Sequence, residues 1–257
     1  MSTYEGYLID LDGTMYRGLE KIEEALIFVE KLKNKGIPYL FVTNNSSKRP
    51  EQFAKSLQDF GLETRADQIF TTSMATANYL HEKKPDASVY AIGGEGLQSA
   101  LTEKGFTLVD DLADAVVIGL DREITYEKLA KASLAVRNGA MFISTNGDIA
   151  LPSERGLLPG NGALTSVISV STQIEPIFIG KPHSIIVEQA LEELGTTKEG
   201  TLMVGDNYDT DILAGIHAGL DTLLVHTGVT TKEMLTEKLV QPTYVLDSLA
   251  EWKFEEE

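Results

Sequence analysis

Two carboxylates stand two residues apart in Asp10-Leu11-Asp12-Gly13-Thr14, directly after the short apolar run Tyr7-Leu8-Ile9. In an open parallel sheet, ligands gather outside the carboxyl ends of the strands. A pair of acids placed there can serve one site, so the string carries chemistry if Tyr7-Leu8-Ile9 is a strand. The plainer reading is an Asp-Gly turn closing that strand. At ordinary residue frequencies, however, this five-residue string should arise by chance in roughly one such chain in several hundred.

Three further strings have the same placement. Phe41-Val42-Thr43-Asn44-Asn45-Ser46-Ser47 offers hydroxyls, amides and backbone N–H groups together, a donor set suited to an anion; the alternative is a polar loop before a helix at Pro50. Gly180-Lys181-Pro182-His183 follows the run Ile177 to Ile179. Pro182 keeps Lys181 out of a regular helix, so its ammonium can lean over the sheet edge or be solvated at a helix start. The string Val204-Gly205-Asp206-Asn207-Tyr208-Asp209-Thr210-Asp211 sets three carboxylates after another strand. Clustered carboxylates repel unless a cation is present, and hard oxygen ligands suit Mg²⁺. An acid-rich helix N-terminus reads equally well. Together, the two acids, the hydroxyl-amide loop, the lysine and the acid cluster are the parts that phosphoryl transfer needs.

Alternating strands and helices must bring these strings to one edge. Strands are expected at Tyr7 to Ile9, Ile37 to Val42, Ile69 to Thr71, Ser88 to Ile92, Ala115 to Leu120, Ala140 to Ser144, Ile177 to Ile179, Thr201 to Val204, Thr222 to Val225 and Tyr244 to Leu246. Between them, Lys21 to Lys35 carries Ile22, Ala25, Leu26, Val29 and Leu32 at helical spacing, with Gly36 as a stop. Helices are also expected from Pro50 (closed by Gly61), after a Ser73 cap, over Ser184 to Leu194 and over Asp209 to Ala218. This alternation predicts an α/β fold, a doubly wound parallel sheet with helices on both faces. Polar breaks at Lys83-Lys84-Pro85-Asp86 and Ile174-Glu175-Pro176 predict an inserted domain over 82–176, with the main domain formed by 1–81 and 177–257.

Composition excludes other classes. Lys plus Arg number 22 against 39 Asp plus Glu in 257 residues, a formal charge of −17, which argues against nucleic acid and anionic membrane partners. With no cysteine, disulfides, thiolate metal sites and thiol catalysis are ruled out. No apolar run nears the ~18 residues of a membrane span. Met1-Ser2-Thr3-Tyr4-Glu5 lacks the basic region of a signal peptide, so a cytoplasmic location is expected. Glu255-Glu256-Glu257 reads as a frayed tail, and Trp252 as the residue docking the C-terminal segment. His81, His217 and His226 read as surface or packing residues and His183 as a helix-start residue.

In order, the four strings resemble the four motifs of the haloacid dehalogenase-like phosphatases. Val42-Thr43-Asn44-Asn45-Ser46, Gly93-Gly94-Glu95-Gly96 and Pro159-Gly160-Asn161-Gly162-Ala163 are similar to the NagD-type (class IIA) branch, and the 137 residues between Thr43 and Lys181 leave room for a large cap. That branch includes p-nitrophenyl phosphatases, nucleotide and pyridoxal phosphate phosphatases, and bacterial acid sugar phosphatases. The resemblance implies a Rossmann-like core with an inserted α/β (C2-type) cap and hydrolysis of small phosphomonoesters through an aspartyl-phosphate. Asp10 would be the nucleophile and Asp12 the general acid and base. Thr43, Asn44, Asn45 and Lys181 would hold phosphate, and Asn207 would join them or lie behind the metal. Mg²⁺ would take Asp10, the Asp12 carbonyl and Asp206, with Asp211 steering Lys181 or bound water. Asn146, Asp148 and Gly160-Asn161-Gly162 are candidates to face substrate from the cap, the glycines reading more simply as a tight turn. Small sugar or sugar-acid phosphates rank first as substrates, then nucleoside monophosphates, then pyridoxal phosphate; a homodimer is left open. A dehalogenase needs neither Asp12 nor the Asp206 cluster, and a phosphotransfer mutase usually carries a smaller cap before the second motif. A non-catalytic phospholigand-binding module is the remaining alternative.

Overall fold

The computed structural model describes residues 4–153 and 155–254. The expected frayed tail Glu255-Glu256-Glu257 lies outside the described residues. Contacts divide the chain into two compact units, Met1–Thr43 with Phe53–Phe70 and Lys181–Glu257, and Asn44–Gln52 with Thr71–Gly180. None of the described helices is long and apolar enough to cross a membrane.

A six-stranded sheet organises the first unit, in the order Tyr244–Leu246, Asp221–Val225, Thr201–Gly205, Gly6–Ile9, Tyr39–Thr43, Ile69–Thr71. Gly6–Ile9 pairs in parallel with Thr201–Gly205 on one side and Tyr39–Thr43 on the other. A strand flanked on both edges and covered on both faces has no place for a polar side chain, which is why Tyr7, Leu8 and Ile9 are all apolar and buried. Ile9 is in register with Val204 and with Phe41. The next residue of the first strand, Asp10, therefore emerges level with Gly205 and Val42, at the shared carboxyl edge. The helix Glu23–Lys35 buries Ala25, Leu26, Phe28, Val29 and Leu32 and closes on Gly36 at φ 68°. It starts two residues later than its apolar spacing predicts, because Glu20–Lys21 forms a small hairpin with Tyr16–Arg17. Trp252 is buried beside the rings of Tyr4, Tyr7 and Tyr244, so it does dock the C-terminal segment.

Five strands, all paired in parallel, form the sheet of the second unit in the order Ile177–Phe178, Met141–Ser144, Ala115–Ile118, Ser88–Ile92, Thr107–Leu108. An antiparallel hairpin, Ala150–Ser153 with Gly156–Pro159, stands apart from that sheet. The boundaries differ from those read at 81/82 and 176/177. The helix Thr72–Lys83 and the segment 44–52 belong with the second unit because Thr72 Oγ1 donates to the Thr145 carbonyl, Ser73 Oγ to the Ser46 carbonyl at 3.0 Å, and Leu120 N–H to Ser46 Oγ at 3.1 Å. Ser73 is thus not the expected helix cap. Thr71 is, its hydroxyl accepting from Met74 N–H.

Candidate active site

Lys181 is the organising residue of the first unit's strand ends. Its side chain is 2% exposed, yet it meets an acceptor in three directions: Asp10 Oδ1 at 2.5 Å, Asp211 Oδ1 at 2.7 Å and the Val42 carbonyl at 2.9 Å. A buried ammonium persists only when its donors are matched in this way. Burial alone would pull its pKa down, but the Asp10 and Asp211 carboxylates outweigh that and hold it above the ordinary lysine range.

Asp206 completes the cluster. One oxygen each from Asp10, Asp206 and Asp211 lies within 4.8 Å of the others, and all three residues are buried. Asp206 follows the strand Thr201–Gly205 and is clamped on every side. Thr14 Oγ1 donates to its Oδ1 at 3.1 Å, Val229 N–H to its Oδ2 at 2.7 Å, and Thr230 N–H to its carbonyl at 3.1 Å. Gly13, at φ 93°, and Gly228 approach the carboxylate so closely that a β-carbon on either would run into it. Thr227 Oγ1 in turn donates to the Gly13 carbonyl at 2.8 Å, closing the loop around Asp206.

Charge in this pocket is unbalanced. Three ionised carboxylates against one ammonium sum to −2. Burial first, then Asp211, raises the Asp10 carboxyl well above the usual range, with Lys181 opposing. Burial first, then Asp211, pushes Asp206 up to about 7, despite the lowering effects of the Val229 N–H, the Thr14 hydroxyl and Lys181. A divalent cation would supply the missing charge, and an all-oxygen donor set fits a hard ion such as Mg²⁺. The residues present therefore fit a metal.

Of the residues singled out from sequence, Asp10, Lys181, Asp206 and Asp211 come together. Thr43 is buried at the end of Tyr39–Thr43, one residue beyond the Val42 carbonyl that Lys181 grips. Asp12 is exposed, bridges to Tyr16, and is not part of the carboxylate cluster. Burial first, then the Asp12 and Asp10 charges, raises the neighbouring Tyr16 phenol. Asp211, read as a residue behind the metal, stands within the cluster itself as well as on Lys181. It is delivered there by a π-helical turn, Tyr208–Ile212, in place of the regular helix expected from Asp209. Asn207 caps that turn, accepting from Asp209 N–H at 3.1 Å while its own N–H donates to Asp211 Oδ2 at 3.1 Å.

Asn44 and Asn45 belong to the second unit. Asn45 Oδ1 accepts from the Ser47 N–H and hydroxyl, both at 2.9 Å, and Asn44 Nδ2 donates to Asp148. Asn161 is 1% exposed, and a β-carbon on Gly160 or Gly162 would strike the backbone of Asp148 or Gly147. These glycines serve close packing at the start of the helix Asn161–Thr172, in place of the tight turn that was their plainer reading. Thr14 and the 227–230 segment are the residues that sequence reasoning missed. Only the position of Thr14 inside the first string signals its role.

Residues 7–107 match the family model for haloacid dehalogenase-like hydrolases, and residues 178–252 match a second, HAD-hydrolase-like model. The chain is 63% identical over 252 residues to 5'-nucleotidase YutF of Bacillus subtilis (strain 168), with 98% of each chain covered. It is 55% identical over 252 residues to the acid sugar phosphatase of Staphylococcus aureus (strain USA300), covering 98% of this chain and 97% of that one. A double mutant of the thermostable NPPase from Geobacillus stearothermophilus has a similar structure, with a TM-score of 0.94 and 61% identity over 99% of this chain and 100% of that one. NagD from E. coli K-12 gives a TM-score of 0.93 at 32% identity, covering 99% and 100%. Strand-end motifs, carboxylate cluster and relatives agree, and the chain belongs to the haloacid dehalogenase-like hydrolases.

Proposed function

We propose that this chain is a Mg²⁺-dependent phosphatase that hydrolyses small phosphomonoesters through a phosphorylated Asp10. The observation that carries the reading is the buried Asp10–Lys181–Asp211 contact with Asp206 alongside. An acidic nucleophile must meet an anionic phosphoryl group, and a resident ammonium lowers that repulsion. Asp10 attacks phosphorus and the bond from phosphorus to the leaving oxygen breaks. Asp12 gives that oxygen its proton. Asp12 then takes a proton from water, which attacks the phosphorus of the aspartyl-phosphate and returns Asp10 as a carboxylate. Thr43, the backbone of Asn44 and Asn45, and Lys181 hold the phosphoryl group, while Asp211 keeps Lys181 in place. Asn207 supports Asp211 through its N–H. Mg²⁺, held by Asp10, Asp206 and the Asp12 carbonyl, would neutralise charge on the phosphoryl oxygens.

The second unit is read as a cap that chooses among substrates. Sugar and sugar-acid phosphates remain the first candidates, supported by the acid sugar phosphatase relative. Nucleoside monophosphates are the second reading, which the 5'-nucleotidase relative favours. Hydrolysis of p-nitrophenyl phosphate with and without Mg²⁺ tests the reaction class, and a metabolite panel ranked by kcat/KM decides between the substrates. Turnover by Asp10→Asn at the parent rate, or full activity after thorough chelation, would overturn the reading.

A further inference from the structure

Asn146, singled out in the sequence only as a candidate to face substrate, is held in the second unit with both ends of its amide engaged. It follows the strand Met141–Ser144 and is 4% exposed. Its Nδ2 donates to the Asn44 carbonyl at 2.7 Å, and its Oδ1 accepts from Asp148 N–H at 3.1 Å. These partners fix the orientation of the amide, because a carbonyl only accepts and a backbone N–H only donates. The loop is pinned from behind as well. Asn161 Nδ2 and Ser144 Oγ both donate to the Asn146 carbonyl, each at 2.9 Å. Gly162 N–H donates to the Asp148 carbonyl at 2.8 Å, and Gly160 and Gly162 pack too closely on this loop to admit a β-carbon. Asn44 Nδ2 donates back to Asp148 Oδ1 at 3.3 Å.

The Asn44 carbonyl shares one planar peptide with the Asn45 N–H. Holding the oxygen therefore sets the direction of that N–H, since C=O and N–H of a trans peptide point opposite ways. A hydrogen bond accepted by the oxygen also polarises the peptide and strengthens its N–H as a donor. We propose that Asn146 is a positioning residue for phosphoryl transfer, aiming the Asn45 N–H by gripping the Asn44 carbonyl. This rests on the reading that Thr43 to Asn45 hold the phosphoryl group. The grip acts on the part common to every phosphomonoester, so its loss lowers catalysis for all of them alike.

Asn146→Asp tests this, since it keeps the acceptor for Asp148 N–H and exchanges the donor for a carboxylate oxygen facing a carbonyl. Asn146→Ala provides a neutral second variant should the first not fold. The full-length variants are compared with the parent for kcat/KM on p-nitrophenyl phosphate and on a hexose phosphate, for inhibition by inorganic phosphate, and for melting temperature. The expected result is a fall of about 10- to 100-fold in kcat/KM, equal for both substrates, below the full effect of removing a direct donor. The inhibition constant for inorganic phosphate should rise several-fold while the variant remains folded at the assay temperature. An unchanged phosphate inhibition constant, a loss confined to one substrate, or a loss matching only the unfolded fraction would overturn the proposal. Inhibition by inorganic phosphate does not depend on which residue is the nucleophile. A turning-over Asp10→Asn would therefore refute the mechanism without touching this result, and the converse also holds.

Discussion

Replacing Lys181 by methionine removes one charge at nearly constant volume. In the parent, that ammonium holds Asp10 at 2.5 Å and Asp211 at 2.7 Å, with Asp206 in the same 4.8 Å cluster. Removing one partner of a buried ion pair costs about 3–5 kcal/mol, and here two carboxylates lose their partner together. At pH 8 without metal we expect a loss near the upper end, about 5 kcal/mol. At about 2–4 °C per kcal/mol for a chain of this size class, melting should fall by about 10–20 °C. The pH dependence has a definite sign. Burial, reinforced by Asp211, raises Asp10 well above the usual range and Asp206 to about 7. Between their ordinary values and these raised ones the folded state binds more protons than the unfolded state. This contribution to stability is full below about pH 4 and is lost as pH rises through about 7. Without the ammonium, both carboxyl groups move higher still and the loss deepens. Lys181 itself is raised and stays charged in both states across this window, so it adds no slope. The deficit of Lys181→Met should therefore be small at pH 5, large at pH 8 in chelator, and partly recovered by Mg²⁺ at pH 8. Scanning calorimetry at the two pH values measures it. Equal melting at pH 8 in chelator, or a larger deficit at pH 5, would refute the claim that this lysine neutralises the buried acids.

Asp12→Asn should retain more activity on p-nitrophenyl phosphate than on a sugar phosphate, whose poorer leaving oxygen needs the proton; equal losses on both would remove Asp12 from acid catalysis. Gly228→Ala pushes a methyl group against the Asp206 carboxylate and should raise the Mg²⁺ concentration for half-maximal activity about 10-fold or more, as disturbing the support of a ligand does. An unchanged Mg²⁺ titration would show that Asp206 does not bind the ion. Trp252→Ala vacates a space among Tyr4, Tyr7 and Tyr244 and should cost about 3–5 kcal/mol in urea unfolding followed by circular dichroism, and a loss under 1 kcal/mol would contradict its docking role.

The catalytic edge is legible because burial constrains it strongly. Tyr7-Leu8-Ile9 has no polar residue, so Asp10 marks the point where the strand leaves the interior. Lys181 and Asp211 are harder. Each is an ordinary charged residue until 171 residues of separation between Lys181 and Asp10 are closed by folding, and the π-helical turn that delivers Asp211 has no local signature. The 227–230 clamp on Asp206 works largely through backbone N–H groups, which every residue but proline carries. In the second unit, the hairpin Ala150–Ser153 with Gly156–Pro159 escapes notice because Pro152 sits inside a strand and reads as a break. The edge strand Thr107–Leu108 is two exposed residues long, too short for a pattern. Ser73 and Thr71 are both competent helix caps by type, and only the contact of Ser73 with the Ser46 carbonyl separates them.

The allegiance of residues 44–52 bears on how this protein can be recombined. A β-carbon on Gly96 would strike the Lys48 backbone and one on Gly119 the Ser46 hydroxyl, while Gly94 fits tightly against Ser47. A chimera that imports 71–180 from a relative but keeps the host's 44–52 would set two separately evolved surfaces together at their least forgiving point. The transplantable module is discontinuous in sequence, a nine-residue strip and a long insert that should travel as one.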